Sequence, residues 1–489
     1  MQLRPRVVIV GGGISGLATA HALYRRFGDD VQLTLVEAGS QLGGKVATRQ
    51  FSGHQVDTGP DALLVRVPAM AALLEELGLS DQIVAPAALG AHVWSRGHLR
   101  RLPTGTLFGI PDRLIPLLRS RLLSLPGVAR AALDLTLPRH TKVSDDPSIG
   151  ELVTPRLGSQ AFARLVEPLL GGVHAGRADE LSAASTVPDL ATLARNNRSL
   201  YLGLRRLRRN APPPSGVPML ITLTGGLGEL VAALVAQLGQ AEIRLNSSAR
   251  LLARDGDGYR IDLDDATSLA ADAVVLATPA FVGAALIADL APGAATVLDQ
   301  IPYVDVATIW LAYRRSALGV PLDGTGFLVP PEEGKLLVGC TWSSAKWPHL
   351  ADDAVVLIRG MVGRRGDRRW VSMDDETLAR QVHEELVQSM RLTEAPLRHR
   401  IQRWPQAMPQ YLVGHRSRLD ALGTALRDVP GLYLTGAAYR GVGIASCVAD
   451  AGRIAAEVAQ HLTPVADEGI PQLAEQPSED HRPLTEVPS

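Results

Sequence analysis

Apolar positions along this chain follow two rhythms. Short unbroken runs closed by turn residues read as buried strands, and apolar residues three and four apart read as one face of a helix. Residues 7–10 are such a run, residues 14–27 carry the helical spacing, and residues 31–36 are a second run. From roughly 62 to 171 the spacing is mainly helical. Residues 69–77 are one case, and residues 114–125 are leucine-rich with Arg119 and Arg121 interleaved. Pro111, Pro116 and Pro126 cut this stretch into short pieces, because proline lacks a backbone donor and clashes inside a helix. Residues 196–218 interrupt the pattern with Arg205, Arg206, Arg208, Arg209 and three consecutive prolines. That composition predicts a surface loop, or a basic contact for an acidic partner.

Strand patterns return at 241–245, 250–254, 259–263 and 273–277, between aspartate- and glycine-containing turns such as 255–258. Residues 303–313 and 354–362 predict further strands, 374–391 an amphipathic helix, 432–435 a short strand and 443–461 an alanine-rich helix. From Thr463 the chain is rich in proline and acid and poor in apolar residues, which predicts a disordered tail.

Composition narrows the functional classes. Of 489 residues 46% are hydrophobic, enough for several cores and a soft expectation of about two to four domains. The net charge is −1 and aromatics make up 4%, so neither a basic field nor a base-stacking surface points to a nucleic-acid partner. Two cysteines, Cys340 and Cys447, are too few for a disulfide framework, and no ligand-spaced cluster predicts a metal. A reducing, cytoplasmic setting is expected. The longest apolar candidate, 273–287, is broken by Thr278-Pro279 and reads as strand, turn and helix start rather than a membrane span. The amino end opens into the first strand, so no signal peptide is expected. The leucines of 114–125 are either a peripheral membrane contact over a pocket mouth or helical core, and core is the expectation. No pattern fixes an oligomeric state.

The amino end carries the chemistry. Gly11-Gly12-Gly13-Ile14-Ser15-Gly16 joins the first strand to the first helix, and Glu37-Ala38 closes the second strand. This order suits a dinucleotide. Gly11 allows the tight turn, Gly13 lets the backbone approach a pyrophosphate, and Gly16 lets helix and strand pack closely. The helix N-terminus offers unpaired N–H groups and positive dipole to phosphate. Glu37 lies near the spacing of a carboxylate that accepts hydrogen bonds from a ribose. The bland alternative is a tight turn with no ligand. No second complete fingerprint follows, which favours one tightly held dinucleotide over separate FAD and NAD(P) domains.

Further motifs carry a resemblance. They are Val56-Asp57-Thr58-Gly59-Pro60-Asp61, Glu167-Pro168-Leu169-Leu170-Gly171-Gly172-Val173-His174-Ala175-Gly176 and Leu223-Thr224-Gly225-Gly226-Leu227. Two narrower ones are Cys340-Thr341-Trp342-Ser343-Ser344-Ala345-Lys346-Trp347-Pro348-His349 and Trp404-Pro405-Gln406-Ala407-Met408-Pro409-Gln410-Tyr411. The last is Gly436-Ala437-Ala438-Tyr439-Arg440-Gly441-Val442-Gly443-Ile444. With these, the chain up to about residue 462 resembles the FAD-dependent protoporphyrinogen/coproporphyrinogen oxidases of bacteria, within the larger flavin amine oxidase group.

The resemblance implies non-covalent FAD on the fingerprint. It places Gly59, Pro60, Asp61 and Ala62 alongside the flavin, and Gly44 and Lys45 against the cofactor. It puts Ala249 at the adenine through its backbone, Trp404 near the flavin, and Gly436, Val442, Gly443 and Ile444 at the isoalloxazine end. Physics agrees for the last segment, where Gly441 and Gly443 leave backbone N–H groups open just before a helix start. No cysteine lies between Cys340 and Cys447, so the cysteine tether of some amine oxidases has no candidate upstream of that motif.

The implied reaction takes six electrons from a porphyrinogen in three flavin turnovers, with O2 as acceptor and H2O2 as product. Coproporphyrinogen III is the expected substrate in haem biosynthesis, and protoporphyrinogen IX is the alternative. An amine oxidase or carotenoid desaturase on the same scaffold is a further reading, and a non-enzymatic porphyrin or flavin carrier is the reading from another class. A ferrochelatase-type protein is the implied recipient of product. No side chain presents itself as an obligatory catalyst, and Lys346 and His349 are the polar groups of the narrowest motif. Substrate propionates call for cations. Arg66 is the first candidate, followed by Arg177 and Arg440, while Arg96, Arg100 and Arg101 flank a hairpin-like stretch and could equally be solvated.

The expected architecture is mixed α/β and α+β. Residues 1–61, 222–300 and 424–462 would form a Rossmann-type FAD-binding domain. Residues 172–221 and 301–423 would form a mixed-sheet substrate domain, 62–171 a helical cap and 463–489 a tail. The flavin ring is expected at the domain junction.

Overall fold

The computed structural model describes residues 4–138, 144–210 and 218–463. The three prolines at 212–214 and the tail from 464 onward lie outside the described residues.

The run Arg6–Val10 is apolar on both faces because both are covered. It is the middle strand of a five-stranded parallel sheet in the order Glu242–Arg244, Gln32–Val36, Arg6–Val10, Ala273–Leu276 and Leu432–Leu434. Strand alternation sends Val7 and Ile9 against helices Ile14–Phe27 and Ile444–Leu462. It sends Val8 and Val10 to the other face, against Ala280–Leu286 and Pro292–Asp299. The sheet therefore draws on three distant stretches of chain, and its strand ends converge where the glycine turn lies.

A second sheet has seven strands in the order Arg398–Pro409, Tyr303–Arg314, Val355–Val362, Leu337–Thr341, Gly326–Leu328, His92–Ser95 and His98–Arg101. It is antiparallel except where Gly326–Leu328 pairs in parallel with His92–Ser95. Along Tyr303–Arg314, Ile309, Leu311 and Tyr313 pack on helix Asp375–Met390. Trp310 and Ala312 face the other way, onto Phe51, Val56 and Trp347. That second face thus lies on the chain leaving the hairpin of Thr48–Phe51 and His54–Asp57.

Several expectations are corrected here. Residues 62–171 are not simply helical, because His92–Ser95 and His98–Arg101 form a hairpin that extends the second sheet and buries Val93 and Trp94. The hairpin-like stretch flanked by Arg96, Arg100 and Arg101 is thus a true hairpin, and only its place in the second sheet lay beyond the sequence pattern. Residues 172–209 join the helical core rather than the substrate sheet, since Leu181, Leu190 and Leu204 pack with Val153 and Leu165. The arginine-rich stretch is a helix over Leu200–Arg209, not a loop. The Ser199 hydroxyl caps it by accepting from the Leu202 N–H at 3.2 Å, and Leu200, Tyr201 and Leu204 face inward. Residues 114–125 are only partly core. Helix Leu114–Ser120 buries Leu117 and leaves Ile115 64% exposed, while Leu122 is buried and Leu125 is 73% exposed. Helix His415–Ala425 packs Leu422 into the core of the first domain, so the substrate sheet ends before it. Among the described residues, no helix is long and apolar enough to cross a membrane.

Candidate functional site

The fingerprint turn shows why each glycine is needed. Gly11 has φ +110°, and a Cβ there would stand 2.8 Å from the Ala277 carbonyl oxygen. At Gly16 a Cβ would stand 1.9 Å from the Gly11 oxygen, so only glycine lets this helix sit on its strand. Gly13 differs, because nothing lies within 4 Å of its Cβ position. Gly443 is equally open, at the start of the helix that packs beside the first one. Neither helix has a side-chain N-cap, so first-turn N–H groups remain for phosphate or ring oxygens.

Glu37 accepts from the Gly12 and Gly39 N–H groups at 2.7 Å each. A carboxylate offers about four lone-pair directions, so acceptors remain for ribose hydroxyls. Ala38 is exposed beside it. The Ser247 N–H donates to the Glu37 carbonyl at 3.0 Å, which brings Ala249, the first residue of strand Ala249–Asp255, to the same end of the sheet. Lys45 follows Gly44 at φ +58°. Its side chain keeps solvent access, yet desolvation by the surrounding protein lowers its pKa. Gly59 lies directly on this turn, since a Cβ there would stand 1.8 Å from the Lys45 oxygen.

Residues 57–59 are held from the second sheet through their carbonyls. Trp310 Nε1 donates to the Asp57 oxygen at 3.1 Å. Thr308 Oγ1 and Trp404 Nε1 donate to the Thr58 oxygen at 2.6 and 3.0 Å. Arg359 donates to the Gly59 oxygen. Trp404 thereby anchors Thr58, which adjoins the segment that the resemblance sets alongside the flavin. Asp61 is the charged centre of this contact. It meets Lys346 Nζ at 3.0 Å, Arg359 at 3.1 Å and Trp347 Nε1 at 3.3 Å. Burial pushes its pKa up, but the Lys346 and Arg359 charges and the hydrogen bonds from Lys346 and Trp347 override this and hold it below the usual carboxylate range. Burial raises the neighbouring Asp57 carboxyl to about 6, opposed by hydrogen bonds from Thr48 and the Leu227 N–H.

Gly436 (φ +136°) and Gly441 (φ +132°) bracket the turn before the last helix. Tyr411 clamps that turn, its hydroxyl donating to the Ala437 oxygen at 2.6 Å and accepting from the Gly441 N–H at 2.8 Å. Val442 and Ile444 flank the open Gly443. Of the arginine candidates, Arg66 is exposed and its one hydrogen-bond contact among the described residues is the Met219 sulfur, at 3.5 Å. Arg177 is paired with Asp179 and Glu180, and Arg440 shares Asp450 with Arg453. His349 sits in the turn Pro348–Leu350 beside the Trp347 ring. Thr308, Trp310 and Arg359 were not singled out from sequence. Arg359 carried a signal, as the one cation inside the apolar run Val355–Val362.

The residues present fit FAD. The open sides of Gly13 and Gly443 would be filled by any Cβ, two uncapped helix starts lie side by side, and Glu37 retains free acceptors. Comparison with known proteins agrees. Residues 14–459 match the family model described as flavin containing amine oxidoreductase. The chain is 35% identical over 463 residues to coproporphyrinogen III oxidase of Bacillus subtilis (strain 168), covering 92% of this chain and 97% of that one. It is 35% identical over 488 residues to coproporphyrinogen III oxidase of Propionibacterium freudenreichii, covering 92% and 90%. A crystal structure from Exiguobacterium sp. 255-15, provisionally named a protoporphyrinogen oxidase, superposes with a TM-score of 0.84 at 33% identity, covering 94% and 99%. With the open glycine cradle and the match along nearly its full length, the chain belongs to the flavin-containing amine oxidoreductase family and is an FAD-dependent oxidoreductase.

Proposed function

We propose that the chain oxidises coproporphyrinogen III to coproporphyrin III in haem biosynthesis, passing six electrons to O2 in three rounds and releasing H2O2. One observation carries the reading. The narrow Cys340–His349 motif delivers Lys346 and Trp347 to Asp61, in a chain co-linear over 92% of its length with a relative named for this activity. Bound FAD would supply the two-electron acceptor. The chain's own part is placement. The Gly11–Gly16 turn, Glu37 and Lys45 would hold the nucleotide. Gly436, Val442, Gly443 and Ile444 would present backbone at the ring, and residues 59–62 would line it. Arg66 has no carboxylate partner among the described residues, which suits it to a substrate propionate.

The test is aerobic turnover of flavin-loaded protein on coproporphyrinogen III and protoporphyrinogen IX side by side, reading porphyrin fluorescence and H2O2. Faster coproporphyrin formation with about three peroxides per ring, as two-electron flavin chemistry requires, supports the proposal. Preference for protoporphyrinogen, which the name of the Exiguobacterium protein favours, would keep the chemistry and change the substrate. No turnover of either would return the chain to the amine oxidase or desaturase reading.

A further inference from the structure

The motif from Glu167 to Gly176 has no part in holding the cofactor, yet its geometry is unusual. Phe162–Gly171 is a π-helix with Pro168 inside it, a widening often found at functional sites. The chain then reverses. The Gly176 N–H donates to the Gly171 oxygen at 2.9 Å, and Ala175 is left-handed at φ +48°, a conformation that costs a non-glycine residue energy. The reversal is pinned on two sides. Gln410 Nε2 donates to the His174 oxygen at 2.9 Å, and the Arg365 N–H donates to the Ala175 oxygen at 2.8 Å. Gln410 adjoins Tyr411, the residue that clamps the Ala437–Gly441 turn. His174 is therefore fixed where the helical subdomain, the second sheet and the flavin-facing turn meet.

The backbone of His174 is fastened, but its ring is not. Among the described residues the imidazole makes no hydrogen bond, ion pair or ring contact, although it is half-buried and protein surrounds it on most sides. A polar ring in such a place, without a protein partner, is available to a ligand. The residues that precede it in the chain are apolar or small. Val173 is 61% exposed, and a Cβ on Gly172 would lie 3.7 Å from the Val338 side chain. The charged groups on the adjoining elements are engaged with one another. Arg177 pairs with Asp179 and Glu180, Arg365 pairs with Glu180, and Arg369 pairs with Asp367. Glu167 accepts from the Ala178 N–H, and Arg364 donates to the Val329 and Leu337 oxygens.

We infer that His174 lines the substrate chamber and accepts the proton that leaves the substrate in each two-electron oxidation. This rests on the porphyrinogen reading above. In the step, the meso C–H bond breaks and its electron pair leaves with the hydrogen to the bound flavin. The resulting cation is delocalised onto the pyrrole nitrogen. The N–H bond then breaks, its pair stays on nitrogen, and the proton passes to the imidazole and on to water. The substrate loses one hydride and one proton per round; over three rounds four meso hydrogens and two N–H hydrogens leave, so in one round the proton comes from a meso carbon, its electron pair completing the conjugated ring. A base for this step must be neutral when substrate arrives. Burial, with no charged group contributing, pushes the imidazole down to about 4, which keeps it unprotonated at neutral pH.

The test compares wild type with His174→Gln and His174→Ala as FAD-loaded proteins. Anaerobic flavin reduction by coproporphyrinogen III is followed by stopped flow between pH 4.5 and 8. Reduction should slow about 10²-fold in both variants, the lower end for a positioned proton acceptor. Added imidazole should restore part of the rate in His174→Ala, and FAD content and flavin spectrum should stay unchanged. A second readout needs no turnover: diethyl pyrocarbonate should modify His174 in the wild type, located by peptide mass, and bound coproporphyrin III should protect it. Unchanged reduction in the variants, or modification that product does not block, would overturn the assignment of His174 and leave the substrate reading standing. Wild type that neither porphyrinogen reduces would overturn both.

Discussion

Asp61→Asn tests the charged contact between the segment beside the flavin and the second sheet. The three side chains are nearly enclosed, Asp61 at 18%, Lys346 at 12% and Arg359 at 6% exposed. One carboxylate balances two cations, so an amide would leave both in a poorly solvated site without a counter-charge. At an effective dielectric of about 20, each contact near 4 Å is worth roughly 4 kcal/mol, much of it offset by desolvation. Breaking such a buried pair from one side typically costs about 3–5 kcal/mol. Lys346→Met should cost less, roughly 1–2 kcal/mol, because Asp61 keeps Arg359 and the site loses a cation it no longer needs to solvate. The double variant Asp61→Asn/Lys346→Met should then be more stable than Asp61→Asn alone by about 1 kcal/mol, which corresponds to a coupling of about 2–3 kcal/mol. Urea unfolding of the holoenzyme, followed by flavin fluorescence and far-UV circular dichroism, measures all four corners of the cycle. Equal destabilisation by the two single changes, or strict additivity in the double, would refute the view that Asp61 is the counter-charge around which this contact is built.

Gly16→Ala should yield protein that folds poorly or carries no FAD, because its Cβ would meet the Gly11 backbone at 1.9 Å; flavin content after gel filtration checks this. Glu167→Gln should flatten the pH dependence of stability. Burial raises the folded pKa of Glu167 from 4.5 to about 7, so the folded state holds this proton more tightly than the unfolded state does. Its contribution is full below pH 4.5 and lost as pH rises through about 7, by up to roughly 3 kcal/mol at 1.36 kcal/mol per unit. Urea midpoints at pH 5 and pH 8 should converge in the variant, and an unchanged difference would count against it. Arg66→Ala should raise KM for coproporphyrinogen III roughly tenfold, as loss of one charge-assisted bond of about 1.4 kcal/mol implies, with kcat little changed. A fall in kcat at constant KM would place Arg66 elsewhere.

The first domain was legible because its signals are local. An apolar run, a glycine turn and a helical period lie within forty residues, and the structure closes them as Arg6–Val10, Ile14–Phe27 and Gln32–Val36. The helix Leu200–Arg209 was missed because four arginines made its outer face look like a loop, while the inward face of Leu200, Tyr201 and Leu204 is short. The stretch around residues 96–101 reads as hairpin-like in the sequence, but its place in the second sheet does not, because the partner strand Gly326–Leu328 lies far along the chain and pairs over two residues. In the site, glycine positions were readable, since a turn or close approach names its residue. The partners of Asp61 were not. Lys346 stands 285 positions away, and nothing in either motif states that they meet.

The anchoring of residues 57–59 explains why sheet register and cofactor placement are one constraint. Backbone carbonyls are the acceptors there, so the side chains of Asp57 and Thr58 are not what the second sheet reads. Gly59 is the exception, because its Cβ would strike Lys45. The donors carry the information, and they share one face. Thr308 and Trp310 are two apart on Tyr303–Arg314, Arg359 is the direct partner of Trp310, and Trp404 pairs with Val306. Side chains alternate with a period of two, so a one-residue slip of Val355–Val362 would turn Arg359 toward helix Asp375–Met390 and bring Ile358 or Gly360 to the Gly59 carbonyl. It would bury a guanidinium among Leu378, Val382 and Leu386, leave the Gly59 carbonyl without that donor, and leave Asp61 with Lys346 alone. The penalty that fixes the register of the substrate sheet is thus the same interaction that fixes the segment on which the flavin is expected to lie.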